Sequence, residues 1–368
     1  LACWPEEIET LERLGAQNMT DLADSLTRHG IDADFHVPGE ITMALTEHQV
    51  GTVREGYELH RAHGIPVTLL DAAEARARVN SPRYLSGFLD PTVGLVDPAR
   101  LVWGLADAAE RLGVRLHEDT SVTGFDADIA GVTVRTEWGS VRADRVVLGT
   151  GAFRGPLKRL AHYTLPVYDH VLMTEPLSPA QLDAVGWHGR EGLTDAGNQF
   201  HYYRRTLDDR VLFGGYDANY HFPGRIDPRL EQSSSHDLLA RHFLEIFPQL
   251  QGLRFTHRWA GVIDTTTRFT PVFGTALGGR LAYAVGYTGL GVASTRFGAQ
   301  VALDLVDGRD TEVTALEMVR KKPLPFPPEP FRYVGVRATR ASLAAEDRTG
   351  RRNLWLRAMD AVGIGFDS

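Results

Sequence analysis

Near its C-terminal end the sequence dictates an unusual succession of backbone shapes. LAYAVGY (281–287) is an apolar strand pattern, and GYTGLG (286–291) is a turn carrying Gly286, Gly289 and Gly291. GVASTRFGAQVALDLVDG (291–308) is a helical pattern with Val292, Phe297, Val301, Ala302 and Leu305 on one side. A strand, a tight glycine turn and a long helix in direct succession point to an α/β unit. The amides of Thr288, Gly289, Leu290 and Gly291 would lie at the positive end of that helix and suit an anionic group, such as the N1–C2=O edge of a reduced flavin. A G-x-G-x-x-G dinucleotide motif fits the stretch poorly, because it lies late in the chain and no acidic residue caps a following strand.

A second segment has the same grammar. In VVLGTGAFRG (146–155), Val146, Val147 and Leu148 read as a strand covered on both faces, running into Gly149-Thr150-Gly151. Small residues there let a ligand approach the backbone, whose N–H groups favour phosphate or ribose oxygens.

The 368 residues are too many for one compact core and suggest two domains or one large mixed one. Helices are expected over 5–29, ended by Gly30, over 46–64 behind Thr46, and over 98–113 behind the Asp97-Pro98 start. VRLHEDTSVTGF (114–125) reads as strand and turn, and 132–138 with 140–150 as a hairpin feeding the Val146–Leu148 strand. From 164 to 286 strands dominate (YTLPVYDHVLMTE, FHYYRR, RVLFGGY, FTHRWAGVID, LAYAVGY), with helices near 178–185 and 229–247. This predicts a largely antiparallel sheet. PLPFPPEP (323–330) is expected to be extended. From Arg320 onward ten Lys or Arg face five Asp or Glu, and this basic tail is expected to pack back on an acidic body.

Several functions are disfavoured at once. A net charge of −8 argues against general nucleic-acid binding. No apolar run reaches the ~18 residues of a membrane span. The single cysteine, Cys3, permits no intrachain disulfide and no cysteine-based metal site, and it fits a reducing cytoplasm. The fourteen histidines include no H-E-x-x-H, no metal site is expected, and G-x-S-x-G is absent. The opening LACWPEEIETLERLG has no signal-peptide pattern and no initiator Met, so the chain is expected to begin inside a longer protein.

Two further stretches offer side chains for chemistry. In RWAGVIDTTTRFTPVFG (258–274), Asp264 stands near aromatic Trp259 and is placed to attract a cationic substrate. In HYYRRTLDDRVLFGG (201–215), alternation puts His201 and Tyr203 on one face of a hairpin and Tyr202 and Arg204 on the other, and either face can line a pocket.

In order, these pieces resemble the FAD-dependent oxidoreductase family of D-amino-acid oxidase, glycine oxidase and sarcosine oxidase. GLVDPARLVWGLADAAERLGVRLHEDTSVTGF (94–125) resembles its helix and the strand whose valine, here Val122, contacts adenine. DRVVLGTGAF, RWAGVIDTTTRFTPVFG and GYTGLGVASTRFGA resemble its later flavin and substrate segments. Within the family, WPEEIETLERLG, YYRRTLDDRVLFGG and DRTGRRNLWLRAMDAVGIGFDS are similar to γ-glutamylputrescine oxidase-like members.

The resemblance implies a mixed α/β flavoprotein. A Rossmann-like FAD domain, truncated at its N-terminus, would occupy roughly 94–160 and 275–310. It would interleave with a substrate domain at 32–93 and 161–274, built on a mixed, mostly antiparallel sheet, and 311–368 would form the tail. FAD would be held by Val122, Gly149–Gly151, Gly286 and Thr288–Gly291, and the substrate would be met by Tyr203, Trp259 and Asp264. The implied reaction is oxidation of an amine C–N bond, by hydride transfer to the flavin, giving an imine. The alternatives are an amino-acid or sarcosine-type oxidase, or a fragment that binds no flavin. Two departures bear on this. The family's N-terminal G-x-G-x-x-G is missing from the sequence. Ile263 also stands where the family's carboxylate-clamping Arg is expected, which favours an amine without a neighbouring carboxylate.

Overall fold

The computed structural model describes residues 4–364, so Cys3 and the last four residues of the tail lie outside the described region. In chain order the strands are β1 (Glu40–Ala44), β2 (Thr68–Leu70), β3 (Ser86–Asp90), β4 (Val122–Asp128), β5 (Gly131–Thr136), β6 (Ser140–Ala143), β7 (Val146–Leu148), β8 (Leu165–Thr174), β9 (Gly192–Asp195), β10 (His201–Arg205), β11 (Val211–Gly215), β12 (Phe255–Thr265), β13 (Val272–Ala276) and β14 (Leu281–Val285). The helices are α1 (Ile8–His29), α2 (Glu47–Ala62), α3 (Ala72–Arg78), α4 (Pro98–Arg111), α5 (Pro179–Val185), α6 (Ser235–Ile246), α7 (Gly291–Asp307), α8 (Glu312–Ala315), α9 (Glu317–Arg320), α10 (Phe331–Thr349) and α11 (Leu354–Ala361). None is long and apolar enough to cross a membrane.

Local chemistry sets many of these boundaries. Asp97 caps α4 by accepting from the Ala99 and Arg100 amides, with Pro98 in the first turn where no amide is needed. Asp71 with Glu74 and Ser178 with Gln181 close reciprocal capping boxes on α3 and α5. Helices α1 and α7 end at Gly30 and Gly308, both in the left-handed region.

The strands sort into three sheets. Eight form one mixed sheet in the order β12-β8-β11-β10-β9-β1-β3-β2, in which only the β1–β9 pair is parallel. Three form β13-β14-β7, where β14 and β7 run parallel, and β4-β5-β6 is an antiparallel meander. The large sheet thus draws on residues 40–90 and 165–265, and the parallel pair on 146–148 and 281–285. Interleaving of this kind follows when strands distant in sequence share one sheet.

One face of the large sheet carries Ile41, Met43, Leu172, Leu193, Tyr203 and Phe213, buried with Leu239, Phe243 and Ile246 of α6. A second core joins β13 and β14 to α7, through Phe273, Ala282, Ala284, Val301 and Ala302, with Leu11 and Leu14 of α1 packed against it. The tail does pack back. Arg340 of α10 pairs with Asp217 at 2.7 Å, and Asp347 accepts the Asn198 and Gln199 amides, both at 2.8 Å. Phe326, Tyr333 and Val336 lie against Leu165, Val167 and Tyr220.

Some expectations need correction. Residues 114–121 form no strand, and Val114 and Leu116 are exposed. Strand β7 is not covered on both faces, since Val147 is 46% exposed. The helix expected from 229 begins at Ser235, preceded by one short turn over Pro228–Glu231. Ser233 accepts the Ser235 amide there, and serines in a row favour caps over helix interior.

Candidate functional site

Strands β7 and β14 are paired in register, Leu281 with Val146 and Tyr283 with Leu148, and point the same way. Their glycine turns therefore leave the sheet at one edge, the carboxyl edge, where ligands of open α/β sheets bind. The second turn is firmly built. Gly286 has φ +87°, and a Cβ there would stand 2.4 Å from Thr266 Cγ2, so only glycine fits. Gly289 has φ +83° and Thr288 +53°. Helix α7 then starts at Gly291. Tyr287 lies over Gly298 of α7, where any Cβ would overlap its hydroxyl, and burial pushes its pKa up to about 12.

Asp264 holds this turn in place. Its carboxylate accepts the Gly286 amide and, at 3.2 Å, the Tyr287 amide, while its carbonyl accepts the Thr288 amide at 2.8 Å. Burial raises its pKa, and the two amides partly oppose that rise. A carboxylate engaged in this way is a clamp for the turn. The carboxylate expected to face a cationic substrate is thus engaged by the turn's own amides.

The large sheet presents its second face beside this turn. Pairing sets Tyr202 opposite Gly214, Gly214 opposite Val171 and Val171 opposite Trp259, and directly paired residues share a face. Asp169, Gly261, Ile263 and Arg204 share that face by the same register and alternation. Ile263 reaches the turn, since a Cβ on Gly289 would meet its Cδ1 at 3.6 Å. Tyr202 covers Gly214 and donates its hydroxyl to Asp169 Oδ2 at 2.5 Å. Burial raises the Asp169 pKa, and the Tyr202 hydrogen bond works against the rise.

Tyr203 lies on the other face. It is 2% exposed, its hydroxyl is 2.9 Å from that of Tyr84, and its ring packs on Trp187, Phe213 and Phe247. Tyr203, expected to shape a pocket, is thus enclosed in the core, and Tyr202 lies on the opposite face. Trp259 is on the open face, and its carbonyl is 3.0 Å from His236 Nε2. Val122 begins β4 in the separate meander and is 40% exposed. Sequence reasoning passed over Asp169. Its signal was a carboxylate inside an otherwise apolar strand, PVYDHVLM.

The chain offers room for a flat cofactor at the strand ends. A Cβ on Gly149, Gly151 or Gly261 would meet nothing within 4 Å. Leu290, at the mouth of the second turn, is 72% exposed. Glycine-lined space, an open helix N-terminus and a facing sheet with Trp259 and Ile263 fit a flavin. On this geometry Gly149–Gly151 and Thr288–Gly291 are the residues that would hold it.

The structure joins a parallel-strand edge with two glycine turns to a broad mixed sheet. Known proteins sharpen that picture. A family described as "FAD dependent oxidoreductase" matches residues 3–305. Gamma-glutamylputrescine oxidoreductase of Escherichia coli K12 is 30% identical over 307 residues, spanning 83% of this chain and 69% of that protein. Glycine oxidase of Geobacillus kaustophilus is 26% identical over 302 residues, 80% of this chain and 76% of the other. The crystal structure of a Geobacillus kaustophilus glycine oxidase superposes with a TM-score of 0.72 at 23% identity, covering 85% of this chain and 83% of that one. The chain belongs to the FAD-dependent oxidoreductase family.

One substitution tests the turn. Gly289→Val places a β-branched residue at φ +83°, a strain of about 1–3 kcal/mol. FAD affinity of the full-length protein, followed by flavin fluorescence, is expected to fall roughly five- to a hundredfold. Unchanged affinity would remove the turn from the cofactor site.

Proposed function

We propose that the chain oxidises the C–N bond of an amine that carries no carboxylate next to the amino group, a γ-glutamylputrescine-like compound being the leading case. The observation that carries this reading is Ile263. It lies beside the glycine turn, partly buried against Val167 and next to the tail residues Phe326, Tyr333 and Val336, where an α-amino acid would need a guanidinium for its carboxylate. The ionisable group nearest to it along that face of β8 is instead a carboxylate, Asp169, two residues from Val167, the partner of Ile263.

When bound, FAD supplies the two-electron oxidation: the carbon bearing a neutral amine gives up a hydride, and water hydrolyses the resulting imine. The protein's residues orient and tune. The Thr288 amide is bonded to the Asp264 carbonyl and the Leu290 amide to the Tyr287 carbonyl, so of the four amides expected to meet the cofactor edge, those of Gly289 and Gly291 serve it. Trp259 and the bare surface at Gly261 shape the path of an alkyl stem. Asp169, steadied by the Tyr202 hydroxyl, attracts the substrate's ammonium group and, with its raised pKa, accepts the proton that must leave before hydride transfer. A cytoplasmic location belongs to the same reading and rests on the single cysteine of the sequence.

An amino-acid oxidase is the competing reading, because glycine oxidase and D-amino acid dehydrogenases are among the relatives. A substrate panel decides. Purified full-length protein is checked for flavin absorbance, then mixed anaerobically with γ-glutamylputrescine, putrescine, glycine, sarcosine and D-alanine while flavin bleaching is followed. The amines are expected to reduce the flavin faster. Faster reduction by the amino acids would overturn the proposal, and protein that takes up no flavin would support the non-catalytic alternative.

A further inference from the structure

Three segments distant in sequence converge on the open face of the sheet, at the end away from the glycine turns. Arg204 lies two residues beyond Tyr202 on β10, on the same face. Arg190 precedes β9, and Asp34 precedes β1. Asp34 Oδ2 is 2.8 Å from Arg190 Nη2 and 3.5 Å from Arg204 Nη2. The three side chains are only 19%, 16% and 13% exposed for Arg190, Arg204 and Asp34.

Two guanidinium groups thus share one carboxylate. Asp97 is within electrostatic reach of Arg204, but its carboxylate caps α4 and faces Arg100 at 3.8 Å. Arg204 also donates to the Val96 carbonyl at 2.6 Å. The Nε atoms of both arginines are buried and have no hydrogen-bond partner among the described residues. Asp34 and Arg190 both adopt left-handed backbone, φ +49° and +55°. Residues without glycine's freedom hold that conformation only where the surroundings impose it. A mostly buried cluster with surplus positive charge and unpaired donors is incomplete, and a carboxylate is the group that completes it.

We propose that Arg190 and Arg204, positioned by Asp34, form a subsite for a carboxylate at the far end of the amine substrate. The proposal rests on the amine reading above and deepens it. Strands β10 and β12 are three positions apart, about 14 Å, and the registers set Arg204 four residues further along the sheet than Gly261, so the two Cα atoms are about 20 Å apart, a distance that an extended substrate and the long Arg204 side chain span together. The substrate class is then a bipolar molecule with an oxidisable amine at one end and a free carboxylate at the other.

The binding test needs no turnover. γ-Glutamyl-n-butylamide keeps the acidic head and lacks the terminal amine, while N-butylacetamide lacks the head. Calorimetry on the full-length protein is expected to show binding of the first at least tenfold tighter than of the second. Arg204→Gln and Arg190→Gln should each weaken the first at least tenfold, and Arg204→Lys should restore part of the loss. In kinetics, both Gln variants should raise KM for γ-glutamylputrescine at least tenfold and leave kcat/KM for N-acetylputrescine within twofold.

Equal affinity for the two probes in the native protein, or equal losses on both amines in the variants, would overturn the subsite. The native comparison decides even if a variant fails to fold. Arg-dependent binding of the glutamyl probe without flavin reduction by any amine would sink the amine reading and keep the subsite. Amine oxidation indifferent to the acidic head would do the reverse.

Discussion

Asp264→Asn is expected to reduce FAD affinity by roughly ten- to a hundredfold and to leave the amine KM of the remaining holoenzyme within twofold. The carboxylate accepts two amides of the turn, from Gly286 and Tyr287. An asparagine side chain can accept one and must present its own NH2 donor to the other. A buried amide left without an acceptor costs about 1–3 kcal/mol, and each 1.4 kcal/mol is about a factor of ten. The loss falls on the turn, because the site favours the cofactor only when Thr288–Gly291 are held. Flavin titration and steady-state kinetics on the same preparation separate the outcomes. A large KM effect with undisturbed flavin affinity would restore Asp264 as a substrate-facing charge.

The second large effect is a contrast between neighbours. Tyr202→Phe removes the hydroxyl that donates to Asp169, while Tyr203→Phe removes one that pairs with the Tyr84 hydroxyl. Hydrogen bonds to charged groups are worth about 1.5–3 kcal/mol, so Tyr202→Phe should lower kcat/KM for the amine roughly tenfold or more. The direction in pH follows from the same bond. The Tyr202 hydroxyl lowers the Asp169 pKa against burial, so its removal lets that pKa rise. The carboxylate form is then lost at higher pH, and the acidic limb of the kcat/KM profile moves upward. Tyr203→Phe should cost about 1 kcal/mol of stability and leave kinetics within twofold. A changed KM or pH profile in the Tyr203 variant would mean that the faces are assigned the wrong way round.

The alternation in HYYRR shows that Tyr202 and Tyr203 part company, yet it cannot say which is covered. The answer lies some forty residues later, where Leu239, Phe243 and Ile246 give α6 an apolar side that buries Tyr203. The clamp at Asp264 is hidden for a similar reason: its partners are 22 and 23 residues away, and nothing local distinguishes a charge that binds amides from one that binds ligand. Helix boundaries with strong local signals, such as the Asp97-Pro98 start of α4 and the Gly308 stop of α7, are legible from sequence. The four-residue β9 is not, since GLTD has little alternation and joins the sheet through strands on both sides. The helices of the tail are masked by prolines and basic residues. The tail's docking depends on Asp347 finding two loop amides near residue 198, a pairing that periodicity does not reveal. Arg190 and Asp34 come from loops, where pattern says little and tertiary contacts decide.

The packing of Phe326, Tyr333 and Val336 against Leu165, Val167 and Tyr220 has a consequence for how the protein is made. Chains emerge from the ribosome at about 5–20 residues per second, so the apolar patch on β8 waits on the order of ten seconds for the segment that covers it. During that interval the long pairing of β8 with β12 can form while one flank stays greasy and open to chance contacts. The segment at Phe326 and the start of α10 therefore cover β8 late in biogenesis. The newborn protein depends on its surroundings until the segment from Phe326 to Val336 is free to fold over the sheet.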